Sequence, residues 1–402
     1  MATGTSEAEG PARARRLTAA LRSEERVTPL ELFFDLVFVL ALTQCTALMS
    51  EEPTFEGLLK GLLALGVLWW AWVGYAWLTS VIDPEEGAVR LVIFGAMAGF
   101  LVAALAVPQA FGDEGLVFAL AYGAVRFAQL GLFWIASDEQ PELRHSLVIG
   151  LVGSTAVGVG LLVGASFLDG WARIAVWALA LGLDMAGPLF FGSEGWRLAP
   201  RHFAERHGLI VIIALGESIV AIGAGVEGGL DAGVIAAAVL GMVIAAGIWW
   251  TYFDVVALVA ARRLERAEAG KAQNEMARDS YSFLHLPMVA GIVLVALGMK
   301  KTLGHVDDPL DDAPALALLG GLAIYLLAHV AFRWRNVRTL NRQRLGLALL
   351  LFALFPLAVE VPSLAIVATC AVLLVALIAY ETRRYGEARA RVRHGSFTPE
   401  AR

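Results

Sequence analysis

Residues 29–39 read Pro29-Leu30-Glu31-Leu32-Phe33-Phe34-Asp35-Leu36-Val37-Phe38-Val39, and the apolar stretch they open runs on to residue 49. A helix needs roughly 20 apolar residues to cross a bilayer, and this stretch supplies them. Similar stretches fill most of the 402-residue chain, which is 58% hydrophobic and 17% charged, with a mean hydropathy of +0.69. A soluble domain is nearer 45–50% apolar and about 25% charged. The chain therefore reads as an all-α polytopic membrane protein. Twelve spans are expected, near 30–49, 56–80, 88–107, 114–136, 145–166, 171–191, 208–226, 232–257, 281–299, 313–332, 345–361 and 364–381.

Basic residues sort by side. With twelve spans and an inside N-terminus, the outside segments hold Lys60, Arg173, Lys300 and Lys301, and Arg126 lies within a span. The inside segments hold the other 26 of the 31 Lys and Arg. Such asymmetry places both termini in the cytoplasm. Residues 1–27 read as a disordered basic arm without the apolar core of a signal peptide. Cys45 and Cys370 fall in separate spans and read as packing residues, with no disulfide or metal site.

The halves resemble each other. Ala98–Leu105 matches Ala290–Leu297, Ala128–Trp134 matches Ala328–Trp334, and Trp69-Trp70 matches Trp249-Trp250. In that register Asp35 falls opposite Glu217. Two six-helix repeats, 28–192 and 208–385, are expected, joined by a cytoplasmic linker over 193–207 and followed by a tail over 386–402. Six is even, so the repeats share orientation, an arrangement used by transporters with a path between halves.

Charges inside the spans carry the chemistry, because each costs about 2.5–3.5 kcal/mol at mid-bilayer. Glu31 and Asp35 share a helix face, and two close carboxylates in a low dielectric resist joint ionisation unless a cation intervenes. Pro29 suits a first turn capped by Thr28. Glu217 sits deep in its span between Gly216, which can admit a close backbone, and Ser218. Arg126 keeps its proton and needs a carboxylate, from Asp35, Glu217 or Asp184. Asp184 precedes Pro188 in its span, where proline frees a carbonyl. The set leans toward the cytoplasmic side, with His285 and His329. Trp69, Trp70, Trp72, Tyr75 and Trp77 span too much depth to be only an interfacial belt. The segment Trp196–His207 reads as solvated positive-inside sequence, or as a contact for lipid headgroups. There is no nucleotide-binding Gly-rich loop, His-Glu-x-x-His, Gly-x-Ser-x-Gly or Cys-x-x-Cys. No cofactor and no nucleic-acid partner is implied.

Two blocks carry a family resemblance. One is Arg26-Val27-Thr28-Pro29-Leu30-Glu31-Leu32-Phe33-Phe34-Asp35-Leu36-Val37-Phe38. The other is Glu205-Arg206-His207-Gly208 with Leu215-Gly216-Glu217-Ser218. They resemble the bacterial low temperature requirement A family, which implies an integral membrane protein linked by name to growth in the cold. A weaker similarity reaches endolysosomal potassium channels, which carry Phe-Ser-Asp on the first helix of a six-helix repeat, where this chain has Phe33-Phe34-Asp35. The expectation is a transporter or channel for a cation, proton or small solute, in contact with membrane lipids, with Asp35, Glu217, Arg126, Glu31 and Asp184 on the path. A non-transporting sensor or scaffold is one alternative. A lipid-modifying enzyme using His285 or His329 is the other.

Overall fold

The computed structural model describes residues 26–85, 87–137, 144, 151–190, 198–226 and 229–393; the expected arm lies outside them up to residue 25. The described elements are helices. In the first half these are α1 (Pro29–Glu51), α2 (Phe55–Val81), α3 (Gly87–Ala106), α4 (Gly115–Ala136), α5 (Gly153–Ala165) and α6 (Gly170–Phe190). In the second they are α7 (Pro200–Ala224), α8 (Ala232–Phe253), α9 (Val256–Arg266), α10 (His285–Gly304), α11 (Asp312–Val337), α12 (Arg342–Ala353), α13 (Ser363–Arg384) and α14 (Gly386–Arg393). A short helix, Lys271–Met276, and a π-helical stretch, Ala277–Phe283, lead into α10.

Among the described residues, ten helices are long and apolar enough to cross a membrane. At two of the twelve expected places the helices are shorter: α5 has 13 residues and α12 has 12. A short helix, Phe355–Ala358, follows α12. The chain is a multi-pass, all-α membrane protein.

Local sequence sets the helix starts. Thr28 caps α1 in a reciprocal box: Glu31 N–H donates to Thr28 Oγ1 (3.3 Å) and Thr28 N–H donates to Glu31 Oε2 (2.9 Å). Pro29 fills the first turn, where no N–H is needed. α7 starts at Pro200. The segment expected to be solvated linker up to His207 therefore contributes two helical turns, and His202, Arg206 and His207 are buried.

Contacts along the helices give their directions. Phe118 of α4 meets Trp177 of α6, with ring centroids 4.8 Å apart, and further along both helices Tyr122 donates to Asp184 (2.8 Å). α4 and α6 thus run parallel. α5 runs against α4, since Gly115 abuts Ser166 and Gly123 abuts Val159. α12 runs against α11, with Arg344 on His329 and Phe352 on Gly320. α8 and α13 run parallel. Gly233 near the start of α8 abuts Val306, whose carbonyl accepts from Leu364 N–H at the start of α13, and Gly247 abuts Leu374.

The halves pack in the same order. α1 meets α2 and α3, α3 meets α4, α4 meets α5, α5 meets α6, and α2 meets α6. In the second half α7 meets α8 and α10, α10 meets α11, α11 meets α12, α12 meets α13, and α8 meets α13. The sequence match of Trp69-Trp70 with Trp249-Trp250 does not extend to environment: the first pair is buried and the second exposed.

Candidate functional site

Glu31 and Asp35 both face α7, where Arg206 holds them together. Arg206 Nη2 lies 2.5 Å from Asp35 Oδ1, Nη1 lies 3.5 Å from Glu31 Oε1, and Nη1 donates to Thr79 Oγ1 (2.9 Å). Trp72 Nε1 donates to Asp35 Oδ1 (2.8 Å), and its ring lies under the guanidinium at 5.5 Å. His202 Nε2 lies 2.8 Å from Glu31 Oε1. The cation that the two carboxylates require is therefore Arg206, and all three side chains are buried. Asp35 Oδ2 and Arg206 Nε have no hydrogen-bond partner among the described residues.

Further along the same seam, Thr43 of α1 meets Glu217 of α7, with Oγ1 2.5 Å from Oε2. Thr46 lies beside them. The pairs Glu31–His202, Asp35–Arg206 and Thr43–Glu217 advance together, so α1 and α7 run parallel. Glu217 is buried and forms no ion pair among the described residues; Lys300 acts on it only through space. Gly216 does not admit a close backbone: a Cβ there would meet nothing within 4 Å. Glu217 lies eleven residues beyond Arg206 on α7, about 16 Å at 1.5 Å per residue. Asp35 and Glu217 thus belong to one seam at different depths.

Arg126 takes the third of its candidate partners. Its Nη2 meets Asp184 Oδ1 (3.0 Å) and Thr155 Oγ1 (2.8 Å), and Nη1 meets Gln129 Oε1 (2.8 Å). Tyr122, Arg126 and Gln129 share one face of α4, and Tyr122 O–H donates to Asp184 Oδ2. Gln129 fits because Gly74 of α2 has no side chain there. This cluster ties α4, α5 and α6 together and has no hydrogen bond to Asp35 or Glu217.

The aromatic set packs between helices. Trp69 Nε1 donates to Ser282 O (2.8 Å) and Trp77 Nε1 to Ser282 Oγ (2.9 Å), which fixes the π-helical stretch against α2. His285 uses its ring nitrogens on Tyr252 O–H (2.8 Å) and Ser280 O (3.0 Å). His329 Nδ1 lies 2.9 Å from Arg344 Nη1. Neither of these two histidines meets a carboxylate among the described residues.

Three functional-site features escaped the sequence reading. Arg206 lies in a run of Arg and His that looks like a positive-inside loop. Thr43 is a hydroxyl in an apolar helix with no charge to mark it. Arg344 and Glu381 form a buried pair (3.0 and 2.9 Å), with Asn341 also donating to Glu381 (2.9 Å). Both sit near helix ends, where charge is expected to reach water. The spacing of Glu205-Arg206-His207 ahead of an apolar run was the one available signal for a buried cation.

Fold and site define a multi-pass α-helical membrane protein with charged clusters inside its bundle. The family model of the bacterial low temperature requirement A protein matches residues 26–379, and the chain belongs to that family. An uncharacterized protein of Rhizobium meliloti is 29% identical over 364 residues, covering 87% of this chain and 88% of the relative. No solved structure matches the chain.

Proposed function

We propose that the protein is a transporter or channel for a proton or small cation, and that Glu217 is the group that binds it. The observation that carries this reading is the pairing of Glu217 with Thr43. The Thr43 hydroxyl lies 2.5 Å from Glu217 Oε2 and 3.1 Å from Val39 O. It can donate to the carboxylate. It can equally accept from the carboxylic acid while donating to Val39 O. The site thus suits both protonation states of a buried acid that no cation contacts among the described residues, as a proton relay or a cation site requires.

Among the described residues, the seam holds Glu31 and Asp35 against Arg206, and Glu217 with Lys300 acting on it only through space, so carboxylates outnumber permanent cations and favour a cation over an anion. Asp35 and Glu31 act with Arg206 as the polar end of the path. Arg126 and Asp184 act as a brace. The seam lies between two parallel six-helix repeats in a twelve-span bundle, 28–192 and 208–385, the second extended back to Pro200 by the first turns of α7. The matching packing order of the halves supports this. So do the directions: α1 and α7 run parallel if the chain crosses an even number of times between their starts, as it does with six crossings that include α5. Parallel α8 and α13 fit α12 as a crossing in the same way. Positive-inside sorting supports cytoplasmic termini and the bacterial inner membrane.

Purified protein in liposomes should pass protons, potassium or sodium down an imposed gradient faster than empty liposomes do. Absence of flux for all three would remove the proposal. A non-transporting sensor or scaffold acting in the cold is the second reading. It is favoured by the close packing around Arg206, where the adjoining void measures about 10 Å³, near the least that holds one water.

A further inference from the structure

A cavity of about 280 Å³ lies in the second half, lined from α9, α11, α12, α13 and α14. Two of its arginines are neutralised, Arg344 by Glu381 and Arg389 by Asp254. Arg262, Arg263, Arg266 and Arg333 also line it, and none of the four has a carboxylate partner among the described residues. Arg262 Nη1 donates to Val392 O (2.8 Å) and Arg333 Nε to Thr339 Oγ1 (2.8 Å), so each is held in place with its charge uncompensated. The rest of the lining is largely apolar, with Val255, Val256, Val259 and Phe332 among it.

His329 supplies a second observation. It lines the same cavity, is 1% exposed, and has its Nδ1 beside Arg344, while its Nε2 has no hydrogen-bond partner. Positive-inside sorting requires only charge on one side of the membrane. It requires neither a cavity nor a buried imidazole with a nitrogen left over.

We propose that this cavity binds a phosphate-bearing amphiphile, an anionic glycerophospholipid of the surrounding membrane. Four uncompensated guanidiniums suit a phosphodiester, which they can contact through paired N–H groups. The valine and phenylalanine surface suits the glycerol and first acyl carbons. His329 and the paired Arg344 close the inner end of the cavity with polar groups. The volume sits just below the usual range of ligand pockets, roughly 300–1,000 Å³, enough for a headgroup with the chains left in the bilayer. Free phosphate would use the arginines and leave the apolar surface idle. The proposal stands apart from ion passage along the α1–α7 seam.

The test uses the full chain in an uncharged detergent, titrated with phosphatidylglycerol, phosphatidylcholine or inorganic phosphate, with binding read by native mass spectrometry and by the shift in thermal unfolding. Phosphatidylglycerol should bind and stabilise, more weakly as salt is raised. Phosphatidylcholine and inorganic phosphate should each bind at least about tenfold more weakly. The double variant Arg263→Gln/Arg266→Gln should lose about tenfold or more in affinity for phosphatidylglycerol. Both side chains are exposed, so the variant should fold as the parent does. Arg90→Gln, at an exposed arginine in the other half, should change nothing. Equal binding of the two lipids would overturn the proposal, as would unchanged binding in the double variant. Inorganic phosphate binding as tightly as phosphatidylglycerol would overturn the amphiphile.

Discussion

Arg206 and Glu217 are buried charges in different circumstances, and substitutions should separate them. Removing one partner of a buried ion pair leaves the other uncompensated and costs about 3–5 kcal/mol. Arg206→Met strands Asp35 and Glu31 together, so it should lower thermal stability in detergent by that order. Glu217→Gln strands no charge and keeps an acceptor for Thr43, so its stability should stay within about 1 kcal/mol of the parent. Arg126→Leu should be as damaging as Arg206→Met, while the double variant Arg126→Leu/Asp184→Leu should recover part of the loss. Additive losses would show that the two side chains do not act as a pair. The sequence marked Arg126 as a buried cation in need of a carboxylate, because it interrupts a long apolar run, and left Asp35, Glu217 and Asp184 as candidates; which of them meets it depends on how the helices pack. Arg206 was not marked, because at the start of a helix a buried cation and a solvated one have the same neighbours in sequence.

The α10–α11 hairpin depends on glycines that let two backbones meet. A Cβ on Gly298 would lie 2.5 Å from Leu318 Cβ and 2.8 Å from its Cα. A Cβ on Gly291 would lie 2.6 Å from Gly321 O. Gly298→Ala should therefore destabilise by about 1–3 kcal/mol through overpacking, measured as a drop in unfolding temperature in detergent. Gly216→Ala, where nothing would lie within 4 Å, should be neutral or slightly stabilising. The sequence marks both as glycines in apolar helices, a pattern common in membrane bundles. It does not say which of them faces a neighbour, since that depends on how the helices are rotated. For the same reason Gly216 was expected to be a close contact and is open.

At the scale of the whole molecule, α5 and α12 decide how many times the chain crosses. Twelve crossings with an inside N-terminus place Asp169, between α5 and α6, outside, and Thr339, between α11 and α12, inside. Asp169→Cys should react with a membrane-impermeant maleimide added to intact cells, and Thr339→Cys should react only after the cells are opened. Cys45 and Cys370 are buried and should contribute little background. Labelling of Asp169→Cys only in opened cells would remove α5 from the membrane count, and labelling of Thr339→Cys in intact cells would contradict an even number of crossings before it. Hydropathy placed an apolar segment at the positions of both α5 and α12, and it could not give the length of α12, because apolar content sums over a turn such as that after Ala353 as readily as over a continuous helix.

Flux through Glu217→Gln bears most directly on the proposed path. The variant and the parent, reconstituted at equal density of folded protein, would be compared for proton, potassium and sodium movement under the same gradient. The α1–α7 seam as a path predicts flux in the parent and its loss in the variant. Equal flux in both would contradict it.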